Sequence, residues 1–68
     1  MPPGWNATRA RILARDPVCR ACGAAPSTEV HHVLGRAVHA DAWLVGLCAS
    51  CHATITRAQA LAARLAAR

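Results

Sequence analysis

Two Cys-x-x-Cys pairs, Cys19/Cys22 and Cys48/Cys51, stand 25 residues apart in a chain of 68. Each pair turns two sulfurs toward one point. Two pairs together supply the four-sulfur set that Zn²⁺ takes in closed, tetrahedral sites. Gly23, directly after the first pair, permits the tight backbone such a turn needs. Two other uses of the cysteines are open: two disulfides in an exported mini-protein, or a redox Cys-x-x-Cys. Met1–Trp5 carries no apolar signal region, so the expected location is cytoplasmic, where disulfides are rare. A redox pair has no use for a second Cys-x-x-Cys. The expected cofactor is therefore structural zinc, and a closed four-thiolate site makes it a staple and not a catalyst.

Composition explains why a staple is needed. Of the 54% hydrophobic residues, 17 are alanines, and Phe and Tyr are absent. What remains for a core is a handful of Val, Leu and Ile with two tryptophans. At this size burial and chain entropy come out roughly level. A structural zinc contributes on the order of 10 kcal/mol of folding free energy, more than such a core can. The composition excludes a large enzyme with a deep apolar pocket and fits a single domain over residues 1–68. No membrane span is expected, because the longest apolar stretch, Ala42–Ala49, falls far short of the roughly 20 residues a span requires. Eight arginines, no lysine and three acids give a formal charge of +5. Four thiolates on one Zn²⁺ bring it to about +3. A basic chain suits a polyanion such as nucleic acid, although arginines that only keep a surface soluble would give the same balance.

The expected fold class is a small zinc-stabilised α+β domain. Trp5–Arg15 reads as a helix with Trp5 and Ile12, together with Arg9 and Leu13, toward one side. Pro17 stops it at Arg15 or Asp16. Asp16–Ala25 is a turn around the first cysteine pair, and Pro26-Ser27 punctuates it. Glu29–Leu34 reads as a strand, Gly35–Asp41 as a loop and Trp43–Leu47 as a second strand. The chain is helical from Ser50. Thr56-Arg57-Ala58-Gln59 matches a capping box, which predicts a break near Thr56 and a fresh helix over residues 57–68. The core then lies at about residues 17–56, between an N-terminal and a C-terminal helix.

His31 and His32 are adjacent on the first strand, and His52 follows Cys51. Neighbouring strand residues point to opposite faces. One of the pair can therefore share a divalent metal with His52 while the other turns elsewhere, toward a water. Two imidazoles leave a cation open positions for phosphate oxygens, and a nearby neutral histidine can take a proton near pH 7. On chemistry alone the alternative stands beside this: His52 is a bystander of the cysteine site, and the pair is exposed strand polarity.

Val30-His31-His32-Val33, followed by His39-x-Asp41-x-x-Leu44-x-x-Leu47-Cys48-x-x-Cys51-His52, resembles the HNH endonucleases of the ββα-metal type. The closer likeness is to their short zinc-stapled members from actinobacteria and their phages. Upstream, Trp5 and Arg11-Ile12-Leu13-Ala14-Arg15-Asp16 before Cys19 extend it over about residues 4–60. The resemblance implies a ββα-metal core and hydrolysis of DNA phosphodiester bonds with low sequence specificity, using one divalent metal (Mg²⁺, Mn²⁺ or similar). It makes His32 the general base, and His31 and His52 ligands of the catalytic metal. Most contacts to DNA would be to phosphates.

One position departs from the motif. The Asn expected before Leu44 is Trp43. In the family that Asn braces the loop and orients the strand bearing the base, whereas indole offers one donor and no acceptor. Asp41 offers an acceptor and Trp43 can pack instead. A milder departure is Thr56, where some members carry His or Asn. Trp43 motivates an alternative function: a catalytically weakened or inactive HNH-fold zinc protein serving as a DNA-binding or packaging accessory. Among the arginines, Arg36 after the base and Arg57 on the last helix are the expected phosphate contacts. Arg9, Arg20, Arg64 and Arg68 read as solvated. Leu61 and Leu65, at i,i+4, are expected to pack against the body or a partner, and a homodimer or a larger partner protein fits so small a chain.

Overall fold

Arg15-Asp16-Pro17 ends the first helix where the proline rule places it. In the computed structural model, which describes residues 3–67, α1 spans Trp5–Arg15 and closes with the Asp16 amide donating to the Ile12 carbonyl. Ile12 is fully buried and meets Val30 and Leu44, with Trp5 and Leu13 packed against them. The short apolar inventory thus collects on one face of α1.

The strands are β1 (Glu29–His32) and β2 (Leu44–Leu47), an antiparallel pair with His32 opposite Leu44, His31 opposite Val45, Val30 opposite Gly46 and Glu29 opposite Leu47. Both are shorter than expected. Val33 still donates to the Trp43 carbonyl, but Gly35, at φ 93°, turns the chain away. Trp43 belongs to a short 3-10 turn over Asp41–Trp43 instead of to the strand. Alternation splits β1 between two faces: Val30 and His32 lie on the α1 side, Glu29 and His31 on the side of the second helix.

That helix, α2, runs unbroken over Ala49–Ala66. The break expected near Thr56 does not occur. No Gly or Pro interrupts the alanine-rich run from Ala53 onward, so helix propensity outweighs one local capping match. The true N-cap is Cys48, whose Sγ accepts from the Cys51 amide. Arg68, the expected end, lies outside the described residues. Leu61 and Leu65 do not pack on the body; both are more than half exposed. No helix among the described residues is long and apolar enough to cross a membrane.

One close approach fixes how the cysteine turn sits on the sheet. Gly46 donates its N–H to Asp16 Oδ2 at 3.0 Å, and a Cβ there would meet Asp16 Cβ at 2.8 Å and the Asp16 carbonyl oxygen at 3.0 Å. Arg20 N–H reaches the Gly46 carbonyl from the same turn. Gly46→Ala is expected to cost about 2 kcal/mol by overpacking and to lower the melting temperature of the metal-loaded protein by roughly 10 °C. Thermal unfolding followed by circular dichroism checks this.

Candidate functional site

The two Cys-x-x-Cys turns converge as their spacing implies. The ligand atoms of Cys19, Cys22, Cys48 and Cys51 all lie within 4.8 Å of one another, the one such grouping of three or more potential ligands among the described residues. Local backbone builds each half. Gly23, in the left-handed region at φ 66°, returns its amide to the Cys19 carbonyl. The Cys22 and Cys51 amides point at the sulfurs of Cys19 and Cys48. No disulfide joins the four. The Cys22 amide and then the Cys48 amide pull the Cys19 thiol down to about 6, whereas the sulfurs of Cys48 and then Cys19 push Cys51 up to about 12. Four thiolates cannot coexist at this range without a cation, and a metal ion bound by all four resolves the conflict. The cluster can hold one structural metal ion.

The cysteines also place the histidines. α2 begins at the metal turn, so His52 stands in its first turn and faces β1. The His31 and His52 rings meet edge to face with centroids 5.3 Å apart. His32, on the opposite face of the strand, stacks on Trp5 at 4.8 Å and meets the His39 ring edge-on at 5.2 Å. His32 Nε2 and His39 Nδ1 are enclosed and form no hydrogen bond among the described residues. Burial pushes the His31 pKa down, with His52 adding to the shift; burial first, then His39 and Arg36, does the same for His32. Both imidazoles are therefore neutral at neutral pH, the form that can bind a metal or accept a proton.

His31, His32 and His52, but not His39, line a cleft of about 550 Å³ between α1 and α2. Trp5 and Arg9 form one wall, Glu29 to His32 the floor, and His52, Thr56 and Gln59 the other wall, with Gly35 and Arg36 at the loop end. Arg36 lines the cleft, whereas Arg57, on the last helix as the sequence places it, is exposed on α2 and does not line it. Arg9, expected to be solvated, lines the cleft and donates to the Thr28 carbonyl at 2.8 Å. Arg20 is likewise partly engaged, on Asp16.

Glu29 is the cleft residue that sequence reasoning missed. Its Oε1 lies 2.6 Å from His52 Nδ1. A carboxylate on one ring nitrogen fixes the tautomer and leaves Nε2 for a metal. The signal was present: Glu29 is two residues before His31 and so shares its face of the strand.

Among the described residues the Trp43 ring forms no hydrogen bond, and 47% of the residue is exposed. Its backbone ties the loop, through Val33 N–H and through its own amide to the Ala40 carbonyl. The loop is braced by Asp41 instead, gripped by Arg11 through Nε at 2.7 Å and Nη2 at 2.9 Å, while Arg15 holds the Asp41 and Leu44 carbonyls. No protein-family model, no curated protein and no solved structure matches the chain.

Proposed function

We propose that this chain is a zinc-stapled, metal-dependent endonuclease of the HNH type that hydrolyses DNA phosphodiester bonds with low sequence specificity. The observation that carries the reading is the cleft whose lining includes His31 and His52, which meet on one face of β1, and His32, which turns to the other face with no hydrogen bond to its enclosed Nε2. Zinc is the proposed ion of the cysteine cluster, because four thiolates are its preferred closed set.

In the cleft the donor chemistry fits a second divalent cation, Mg²⁺, Mn²⁺ or similar, held by His31 and His52. Such a cation would offset charge on the scissile phosphate and on the leaving oxygen. Glu29 orients His52 for that role. His32, neutral and fixed between Trp5 and His39, accepts the proton of the attacking water. Arg36 and Arg9 attract and orient the phosphate backbone, and Arg57, outside the cleft, can meet only flanking phosphates. Contacts of this kind read charge, not sequence.

Nicking of supercoiled plasmid in Mg²⁺ or Mn²⁺ tests the reading. Wild type is expected to cleave, and His32→Ala to lose on the order of 10²–10⁴-fold in rate with metal content and circular dichroism unchanged. Cleavage that survives His32→Ala removes His32 as the base. The exposed Trp43 ring favours one second reading, the DNA-binding or packaging accessory. It predicts salt-sensitive DNA binding with no cleavage in any divalent metal, and a gain of cleavage in Trp43→Asn would support it.

A further inference from the structure

Three of the four cluster sulfurs accept backbone amides, and they take them from the same offsets. Cys19 Sγ has the amides of Ala21 and Cys22, with that of Cys48 reaching across from the second turn. Cys22 Sγ has those of Ala24 and Ala25, and Cys48 Sγ that of Cys51. Apart from the one crossing amide, every donor stands two or three residues after its cysteine. Cys51 breaks the pattern: among the described residues no amide is directed at its sulfur.

The reason lies in where each turn leads. Gly23 turns the chain back after Cys22 at φ 66°, and Ala24 and Ala25 lie outside any helix. Cys48 is the N-cap of α2, so the amides that follow it belong to the first turn and have no helix carbonyl to reach. Cys51 already lies inside α2. The amides two and three residues after it, Ala53 and Thr54, are committed to the carbonyls four residues back. An N–H donor offsets the charge on a thiolate, and with it both its basicity and its nucleophilicity. Four thiolates on one metal are therefore unequal, and exposure ranks them differently. Cys22 is exposed, Cys48 and Cys51 are half-buried, and Cys19 is buried.

We propose that Cys51 is a modification site: of the four ligand sulfurs it is the one that a soft carbon electrophile attacks first. The step is an addition. The Cys51 sulfur gives its electron pair to one carbon of an activated alkene, the other carbon takes a proton from water, and a thiolate becomes a neutral thioether. Sites of this kind hold their metal through thiolates, so the cluster is left with three. His52 follows Cys51, and the loss therefore falls on the helical turn that carries His52 to the cleft. This reactivity presupposes zinc on the four thiolates, as proposed above, and not DNA cleavage.

The test treats the zinc-loaded wild-type protein with N-ethylmaleimide in large deficit. Chains carrying a single adduct are selected by mass and fragmented whole, because a first adduct loosens the metal and exposes the remaining thiols. Cys51 is expected to hold the adduct about threefold or more as often as Cys22, and more often than Cys48 or Cys19. Zinc release, read with a colorimetric chelator, should rise with that adduct. An adduct found mainly at Cys22, as exposure alone would rank it, overturns the assignment, and so does a majority at Cys48 or Cys19 or an even spread. Zinc that stays bound as the Cys51 adduct accumulates overturns its place among the ligands. Each of these results leaves zinc in the cluster, whereas a chain that takes up no zinc overturns the staple as well.

Discussion

Stripping the metal from Cys19, Cys22, Cys48 and Cys51 is expected to unfold the chain outright. The site's contribution, on the order of 10 kcal/mol, is comparable to the whole stability of a small domain, about 5–15 kcal/mol. What remains is Ile12, Val30, Leu44 and Leu47 with the partly buried Trp5 and Leu13, too little for 68 residues. A chelator, or Cys48→Ser, should therefore abolish the helical circular dichroism signal, and added Zn²⁺ should restore it only where all four thiols remain. One zinc per chain, released on titration with a thiol-modifying mercurial, is the matching stoichiometry. Acid should act in the same direction. The released, unfolded chain binds protons on thiols that the metal-bound fold keeps as thiolates, so stability rises with pH and falls as pH drops. A protein that keeps its helical signal after complete metal removal would show that the cluster is not the staple.

The same site explains what the sequence made legible. Local rules sufficed wherever cause and effect lie within one turn. Pro17 ends α1 at Arg15, and each Cys-x-x-Cys bends on itself. The four-ligand chemistry then forces two distant turns together, which aligns Glu29–His32 beside Leu44–Leu47 and delivers His52 to His31. Other features required knowing which competing local signal wins. Thr56-Arg57-Ala58-Gln59 reads as a cap only if the chain has reason to stop; preceded by a helix already capped at Cys48 and followed by alanines, it continues. Thr56 and Gln59 consequently become part of the cleft wall. Arg9 is indistinguishable from any solvated arginine until β1 brings the Thr28 carbonyl to it. Asp41 shows the same limit. Its acceptor role could be anticipated, but its partner, Arg11, lies 30 residues away in sequence.

Asp16 is the residue whose importance sequence hides most completely, and its removal is expected to have the largest effect outside the metal site. Between a helix end and a proline it reads as a turn acid. In the fold its side chain is completely buried, accepts from Arg15 through Nε at 3.0 Å and Nη2 at 2.8 Å, meets Arg20 at 3.3 Å, and takes the Gly46 amide at 3.0 Å. One carboxylate thus joins α1, the first cysteine turn and β2. The Arg15 fork, ahead of the Gly46 amide, holds its pKa far below the usual carboxylate range, and burial opposes this without prevailing. Asp16→Ala should cost about 3 kcal/mol, at the low end for a broken buried pair because both arginines are partly exposed and regain water. That corresponds to a melting temperature lower by roughly 15 °C. Asp16→Asn keeps an acceptor for Gly46 but loses the charge, so it should fall between wild type and Asp16→Ala. The pH dependence follows from the sign. A carboxyl depressed on folding contributes fully above its unfolded pKa, near 4, and its contribution is lost as pH falls toward the folded value. Between neutral pH and about 5, then, acid weakens the protein through the thiolates, and Asp16→Asn should melt below wild type by the same margin throughout that range. Below about 4 the margin should shrink. A gap between the two melting curves that stays constant down to pH 3, measured with metal content monitored, would mean that the Asp16 charge is not what joins the three segments.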